Sequence, residues 1–368
     1  MVKICTRFAW LTYFVAQLTL VVTIAWAQPP GDAAVRWRNI LEQPSNWYAT
    51  PDAARIADNV LLYQHDNGGW PKNIDMARTL SDADKEHLRA TRNDAETTID
   101  NGATHTQIRY LALVHAATGD ERLSDAAGRG LEYLLKAQYD NGGWPQFYPL
   151  KAGYYTHITF NDGAMIGAMR VLRNAADGKP PYEFVDADLR ERSHRAIEKG
   201  LDVVLKCQIV VDCKPTAWCA QHDEVDFRPR GARAYELPSQ SGMESVAIVE
   251  YLMEIDHPSP EIKRAIQSAV QWFEQVKIEG VAIRWQRDPN LPREGDRVIT
   301  PDPTAKALWA RFYEIGTNKP MYVGRDGVAR EHLADVEYER RVGYNWIGEF
   351  AAELVEKEYP AWQKKWAD

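Results

Sequence analysis

The hexapeptide Asp-Asn-Gly-Gly-Trp-Pro occurs twice in this chain, at Asp66–Pro71 and Asp140–Pro145. The flanks agree as well, with Gln64 and Gln138 each two residues ahead of the turn. The copies lie 74 residues apart (140 − 66). Each follows a stretch of helical periodicity and leads through a loop to an acidic pair followed by Gly-Ala: Asp100-Asn101-Gly102-Ala103 and Asn161-Asp162-Gly163-Ala164. A third, degraded copy runs through Lys206–Gln208, Thr216–Asp223 and Ser239–Gly242. Self-similarity at this period is the mark of helical hairpins packed around an axis. Gly-Gly supplies backbone freedom after a helix end, and Trp-Pro staples the returning chain. The turn therefore reads as structural, and what it positions is the acidic start of the next inner helix.

Apolar periodicity elsewhere is helical: Ile108, Leu111, Ala112 and His115; Leu131, Leu134, Leu135 and Gln138; Ile197, Leu201, Val204 and Leu205; Ile266, Val270 and Phe273. Ala164–Leu172 is apolar nearly all round, which predicts a helix buried within a ring of others. Gly280–Trp285 and Met321–Val323 are the short strand candidates.

The first residues read as an export signal. Lys3 and Arg7 precede the apolar stretch Phe8–Ile24, and Ala25-Trp26-Ala27 is a small-x-small cleavage site. An uncleaved anchor is the alternative reading, since the stretch approaches spanning length. Cleavage after Ala27 predicts a secreted or periplasmic protein with a signal peptide over 1–27, a linker over 28–46 and a catalytic domain over 47–368. Removing Lys3 and Arg7 leaves 42 basic residues (44 − 2) against 52 acidic ones, a net charge of −10. Such a balance argues against nucleic acid as a partner, and an anionic substrate then needs a local basic patch or a bridging cation. Cys207, Cys213 and Cys219 remain after cleavage, and their spacing makes a poor zinc site.

The acidic pairs have two readings. Asp and Asn are preferred helix caps, each contributing about 1 kcal/mol. Alternatively, equivalent helix ends meeting at one mouth of a toroid would gather Asp100, Asn101, Asn161 and Asp162 into an oxygen-rich set suited to Ca²⁺.

The segments DNGGWPKNID, TIDNGATHTQIRYL, THITFNDGAM, TAWCAQHDEV, ARAYELPSQSGMESV and VGRDGVAR followed by YERRVGYNW together resemble the pectate lyases of polysaccharide lyase family 10, over roughly Trp47 to Trp346. The resemblance implies an all-α-dominated fold, an (α/α)3-type toroid of helical hairpins with a small mixed α/β region flanking the active-site cleft. It implies a monomer that cleaves polygalacturonate by Ca²⁺-assisted anti-β-elimination. Asp100 and Asp162 match the family's acidic positions at the calcium and catalytic centre, with Asn101 beside them as a metal ligand. Arg325 matches the catalytic arginine, with Arg311 as the alternative. Arg233 matches an arginine for the substrate carboxylate, and Asn161 is expected at the substrate. The resemblance also favours pairing of Cys207 with Cys219. Two rival functions remain at this stage: a glycoside hydrolase using Asp100 and Asp162 as acid and base, and a non-catalytic uronate-binding protein with Trp70 and Trp144 as stacking platforms.

Overall fold

The computed structural model describes residues 35–94 and 96–366. The expected signal peptide lies outside the described residues. Among the described residues, no helix is long and apolar enough to cross a membrane. Trp37–Glu42, within the segment expected as a linker, forms a 3-10 helix whose Ile40 is buried.

Eight helices make the ring. They are α1 (Pro51–Tyr63), α2 (Asp82–Ala90), α3 (His105–Thr118), α4 (Glu121–Ala137), α5 (Ala164–Asp177), α6 (Ala187–Lys206), α7 (Glu244–Met253) and α8 (Pro260–Val276). α3 packs on α4, α5 on α6 and α7 on α8. The inner helices touch in sequence, α3 to α5 to α7, while α4 meets α6 outside them. α5 buries Ala164, Met165, Ile166, Ala168, Met169, Val171, Leu172 and Ala175, as its nearly continuous apolar run predicts. The three hairpins form the helical toroid expected from the repeat.

On α6 the buried face differs from the predicted stripe. Ala196, Gly200, Val203 and Val204 point inward, whereas Ile197, Leu201 and Leu205 are only half-buried. The cause is the Trp of the second turn. A Cβ on Gly200 would lie 3.0 Å from the Trp144 ring, so the small residues of α6 are the ones that must face it.

The repeated turn makes the same bonds three times. Trp70, Trp144 and Trp218, spaced 74 residues apart (144 − 70 and 218 − 144), are fully buried. Their indoles donate to the carbonyls of Val60, Leu134 and Val204 at 2.7–2.8 Å, each in the preceding helix. Gln64, Gln138 and Gln208 each donate to the turn and to the carbonyl of a later helix, at Ala126, Ala196 and Ala265. Both tryptophans of the exact repeat are staples buried in the core and offer no stacking face to a sugar. Gly142, at φ +102°, passes so near the Lys199 carbonyl that a Cβ would lie 2.4 Å from it.

Beyond the ring, the chain adds short strand pairs and one longer antiparallel hairpin, Val281–Arg287 with Gly295–Pro301. Gln240–Ser241 pairs with Phe312–Tyr313, and Trp309–Ala310 with Ile347–Gly348. These short pairs stitch the mixed region onto the end of α7. Cys207, Cys213 and Cys219 are free thiols, so the pairing of Cys207 with Cys219 is not formed. The Cys219 sulfur is directed to the Arg230 carbonyl at 3.5 Å instead.

Candidate active site

Each Trp carbonyl of the repeated turn fixes the chain just ahead of an inner helix. Thr98 N–H donates to Trp70 O at 3.1 Å, Thr159 N–H to Trp144 O at 3.1 Å, and Ser241 N–H to Trp218 O at 2.7 Å. The three inner-helix starts are thereby brought to one end of the ring, and the turns carrying Asp100 and Asn161 lie in contact.

Neither acid caps a helix. Asp100–Gly102 and Asn161–Gly163 are 3-10 turns without a side-chain cap bond, and each places its middle residue, Asn101 or Asp162, at positive φ (51° and 49°). Asp100 is buried; its Oδ2 pairs with Lys72, and its Oδ1 has no hydrogen-bond partner among the described residues. Asn101 Nδ2 donates to Asn73 Oδ1 at 2.9 Å. Asn161 Nδ2 donates to Asp162 Oδ2 at 2.8 Å.

Arg311 closes the cluster from the mixed region. Its Nη2 donates to Asp162 Oδ1 at 3.1 Å, to Asn161 Oδ1 at 3.3 Å, and to Glu244 Oε1. The backbone dictates this position. Arg311 N–H donates to Trp346 O at 2.7 Å, and Arg311 O accepts from Gly242 N–H at 2.9 Å. Gly242 is required there, because a Cβ would lie 2.2 Å from the Ala310 carbonyl. Burial pulls the Arg311 guanidinium toward neutrality, but Glu244, Tyr344 and Asp162 outweigh it, so its proton is held more tightly than usual.

Arg233 stands one ring away. Its guanidinium lies 5.7 Å from the centre of the Tyr344 ring, and that of Arg311 lies 4.7 Å from the same ring. Glu236 takes Nε at 2.8 Å and also pairs with Nη2, while Tyr344 Oη donates to Glu236 at 2.6 Å. Burial pushes the Glu236 carboxyl up, but the bonds from Arg233 and Tyr344 prevail and leave it below its ordinary value. The same pairing raises Arg233. Arg325 is farther out and exposed. It pairs with Glu339, its guanidinium lies 5.8 Å from the Tyr235 ring, and no hydrogen bond or ion pair among the described residues joins it to Asp100 or Asp162. Its bond to Glu339 raises its affinity for its proton.

Among the expected residues, Asp100, Asn101, Asn161, Asp162 and Arg311 therefore come together. Arg233 flanks them and Arg325 lies beyond. Two residues at the centre carry no role in the sequence reading: Lys72 and Glu244. Lys72 follows the first DNGGWP, where the second copy has Gln146. That difference, directly after the matched hexapeptide, was the available signal. Glu244 is the first residue of the third inner helix, but its repeat is too degraded to be aligned with the other two.

The comparisons with known proteins bear on this arrangement. The pectic acid lyase family model matches residues 64–355. The chain belongs to the pectic acid lyase family. A family 10 polysaccharide lyase from Cellvibrio cellulosa is 35% identical, with a TM-score of 0.72 and coverage of 86% of this chain and 96% of the other. An aspartate-to-alanine mutant of a family 10 polysaccharide lyase from the same organism, in complex with trigalaturonic acid, is 35% identical. Its TM-score is 0.74, and coverage is 87% of this chain and 98% of that one. The comparison with curated proteins found no match. The pectic acid lyase described here is thus a polysaccharide lyase, a pectate lyase by family, on a helical toroid.

Proposed function

We propose that this lyase cleaves polygalacturonate by Ca²⁺-assisted anti-β-elimination, with an arginine as base, after export as a monomer. The observation that carries the reading is the meeting of Asp100, Asn101, Asn161 and Asp162 beside Arg311 and Arg233, in a chain of net charge −10 (42 − 52) once the signal is removed. Trigalaturonic acid in the related complex supports the substrate class.

The donor set fits calcium. All the candidate ligand atoms are oxygens, as a hard cation requires, and the buried Asp100 Oδ1 lacks a protein partner among the described residues. Asp100, Asn101 and Asp162 would hold the ion, with Asn161 orienting the Asp162 carboxylate through its amide. When bound, calcium supplies positive charge against the uronate carboxylate and so makes its α-proton more acidic.

The chemistry removes the C5 proton and expels the C4 glycosidic oxygen, leaving a C4–C5 double bond on one product and a hydroxyl on the other. Charge builds on the carboxylate as the C5–H bond breaks, and fixed guanidinium groups nearby stabilise it. Arg311, ion-paired to both Glu244 and Asp162, is suited to that electrostatic role. We assign proton removal to Arg233 and carboxylate binding to Arg325, the reverse of the expectation from sequence. Arg233 shares the Tyr344 ring with Arg311 at the cluster, whereas Arg325 stands one ring farther out, over Tyr235. A neutral arginine at pH 7 costs about 7.5 kcal/mol, from roughly 5.5 units at about 1.36 each. The rate should therefore climb about tenfold per pH unit into the alkaline range.

Rates of Arg233→Ala, Arg233→Lys and Arg325→Ala between neutral and strongly alkaline pH test the assignment. Loss of turnover in both Arg233 variants, with Arg325→Ala raising KM and keeping the alkaline rise, is expected. An active Arg233→Ala alongside a dead Arg325→Ala returns the base to Arg325.

A further inference from the structure

A cavity of about 370 Å³ opens beside Asn101, and neither Arg311 nor Arg233 lines it. Its size falls within the roughly 300–1,000 Å³ of small-molecule sites. Arg36, Trp37, Arg38, Lys72, Asn101 and Gln107 are among its lining residues. From this wall we infer a further uronate-binding subsite, in which Arg36 and Arg38 hold the carboxylate of a sugar unit remote from the bond that is cleaved. The inference rests on the proposed action on polygalacturonate.

The wall is built rather than loosely draped. Trp37 N–H donates to Asp75 Oδ1 at 3.0 Å, and its ring meets Tyr110 edge-on at 5.5 Å. Three residues on, Ile40 is buried, and its carbonyl accepts from Tyr48 Oη at 3.1 Å. Arg36 and Arg38 flank Trp37 and are exposed, so their charged ends are available at the rim. The lining carries two arginines, Arg36 and Arg38, against one carboxylate, Asp75, while the charge of Lys72 is matched by Asp100. Asp75 is already engaged, since its Oδ1 accepts from both Trp37 N–H and Ala77 N–H. In a protein of net negative charge this pocket selects an anion. Planar guanidinium forks match a carboxylate better than lysine ammonium does.

Two residues tie the cavity to the reaction centre. Lys72 lines it and pairs with Asp100; Asn101 lines it and stands next to Asp100 in the chain. A polymer lying across the acidic cluster can therefore continue into the cavity without leaving the protein surface.

The test compares wild type with the Arg36→Ala/Arg38→Ala double variant on oligogalacturonates from dimer to octamer. The readouts are unsaturated product by ultraviolet absorbance and octamer affinity by calorimetry in the presence of a chelator. Both residues are exposed, so equal melting temperatures should confirm intact folding. We expect unchanged kcat/KM on the shortest cleaved oligomer and a loss of about tenfold, carried by KM, on the longest. Octamer affinity should fall in parallel. Equal kinetics at every length, or a loss independent of length, overturns the subsite. If wild type yields no unsaturated product at all, the lyase chemistry itself fails, and equal octamer affinities of the two proteins then overturn the subsite separately.

Discussion

Arg311 Nη2 lies 3.1 Å from Asp162 Oδ1, and the same nitrogen binds Glu244, a carboxylate that is almost fully buried. One guanidinium thus joins the second acidic turn, the start of the third inner helix and the mixed region. Removing it leaves Glu244 buried without its counter-ion, a loss that costs about 3–5 kcal/mol. Arg311→Ala should lower the midpoint of chemical denaturation accordingly. Arg311→Lys should fall between, since it keeps a charge but not the fork. An unchanged midpoint in Arg311→Ala would mean that the pair is not formed in solution.

Asp162→Ala separates site from scaffold. The side chain caps no helix but accepts from Arg311 and Asn161, so stability should fall by about 1–3 kcal/mol with the fold retained. Turnover and calorimetric calcium binding should both collapse. Normal calcium affinity in a folded Asp162→Ala protein would remove it from the metal site.

The repeated turn and the helix it follows make opposite predictions at two glycines. Gly142→Ala places a Cβ at a positive φ and 2.4 Å from the Lys199 carbonyl, so it should destabilise by about 2 kcal/mol or more. At Gly128, inside α4, an added Cβ would meet nothing within 4 Å, and Gly128→Ala should stabilise by about 0.5–1 kcal/mol through helix propensity. Melting curves of the two variants moving in the same direction would contradict one of the two assignments, Gly142 if both rise and Gly128 if both fall.

Acid sensitivity follows from His222. It is fully buried, donates from Nδ1 to the Phe227 carbonyl at 2.8 Å and accepts at Nε2 from Cys219 N–H at 3.0 Å, which requires the neutral ring. Burial lowers its pKa from 6.5 to about 4. The unfolded chain therefore binds the proton first as pH falls. Its contribution is fully present above pH 6.5 and is lost between there and pH 4, by about 3 kcal/mol (2.5 units at about 1.36). Urea denaturation across that window should show the decline, and His222→Gln should start lower at neutral pH and decline less. A variant with the wild-type pH slope would assign the acid sensitivity elsewhere.

The ring of hairpins was legible because its determinants are local: a helical period, a Gly-Gly-Trp-Pro turn and a fixed spacing. Trp218 stands at that same spacing, and its indole bond to Val204 shows that the degraded third copy still performs the turn's task after most of its letters have changed. The gathering of Asp100, Asn101, Asn161 and Asp162 was legible for the same reason, as equivalent positions of a repeat meet at equivalent places. The arginines were not, because they come from loops outside the repeat. Arg311 is placed by the pairing of its neighbours Phe312–Tyr313 with Gln240–Ser241, far back in the chain, and Arg233 by aromatic packing on Tyr344. No local pattern encodes either contact. Lys72 escaped notice because a lysine beside a turn reads as solvent-exposed until the partner Asp100 is known.

The most direct measurement is ultraviolet absorbance of purified protein with polygalacturonate, with calcium present, chelated and restored. Elimination at the Asp100–Asp162 centre should produce an absorbing unsaturated end that ceases to accumulate on chelation and returns when calcium is added back. New reducing ends without absorbance, or full activity after exhaustive chelation, would contradict calcium-assisted elimination.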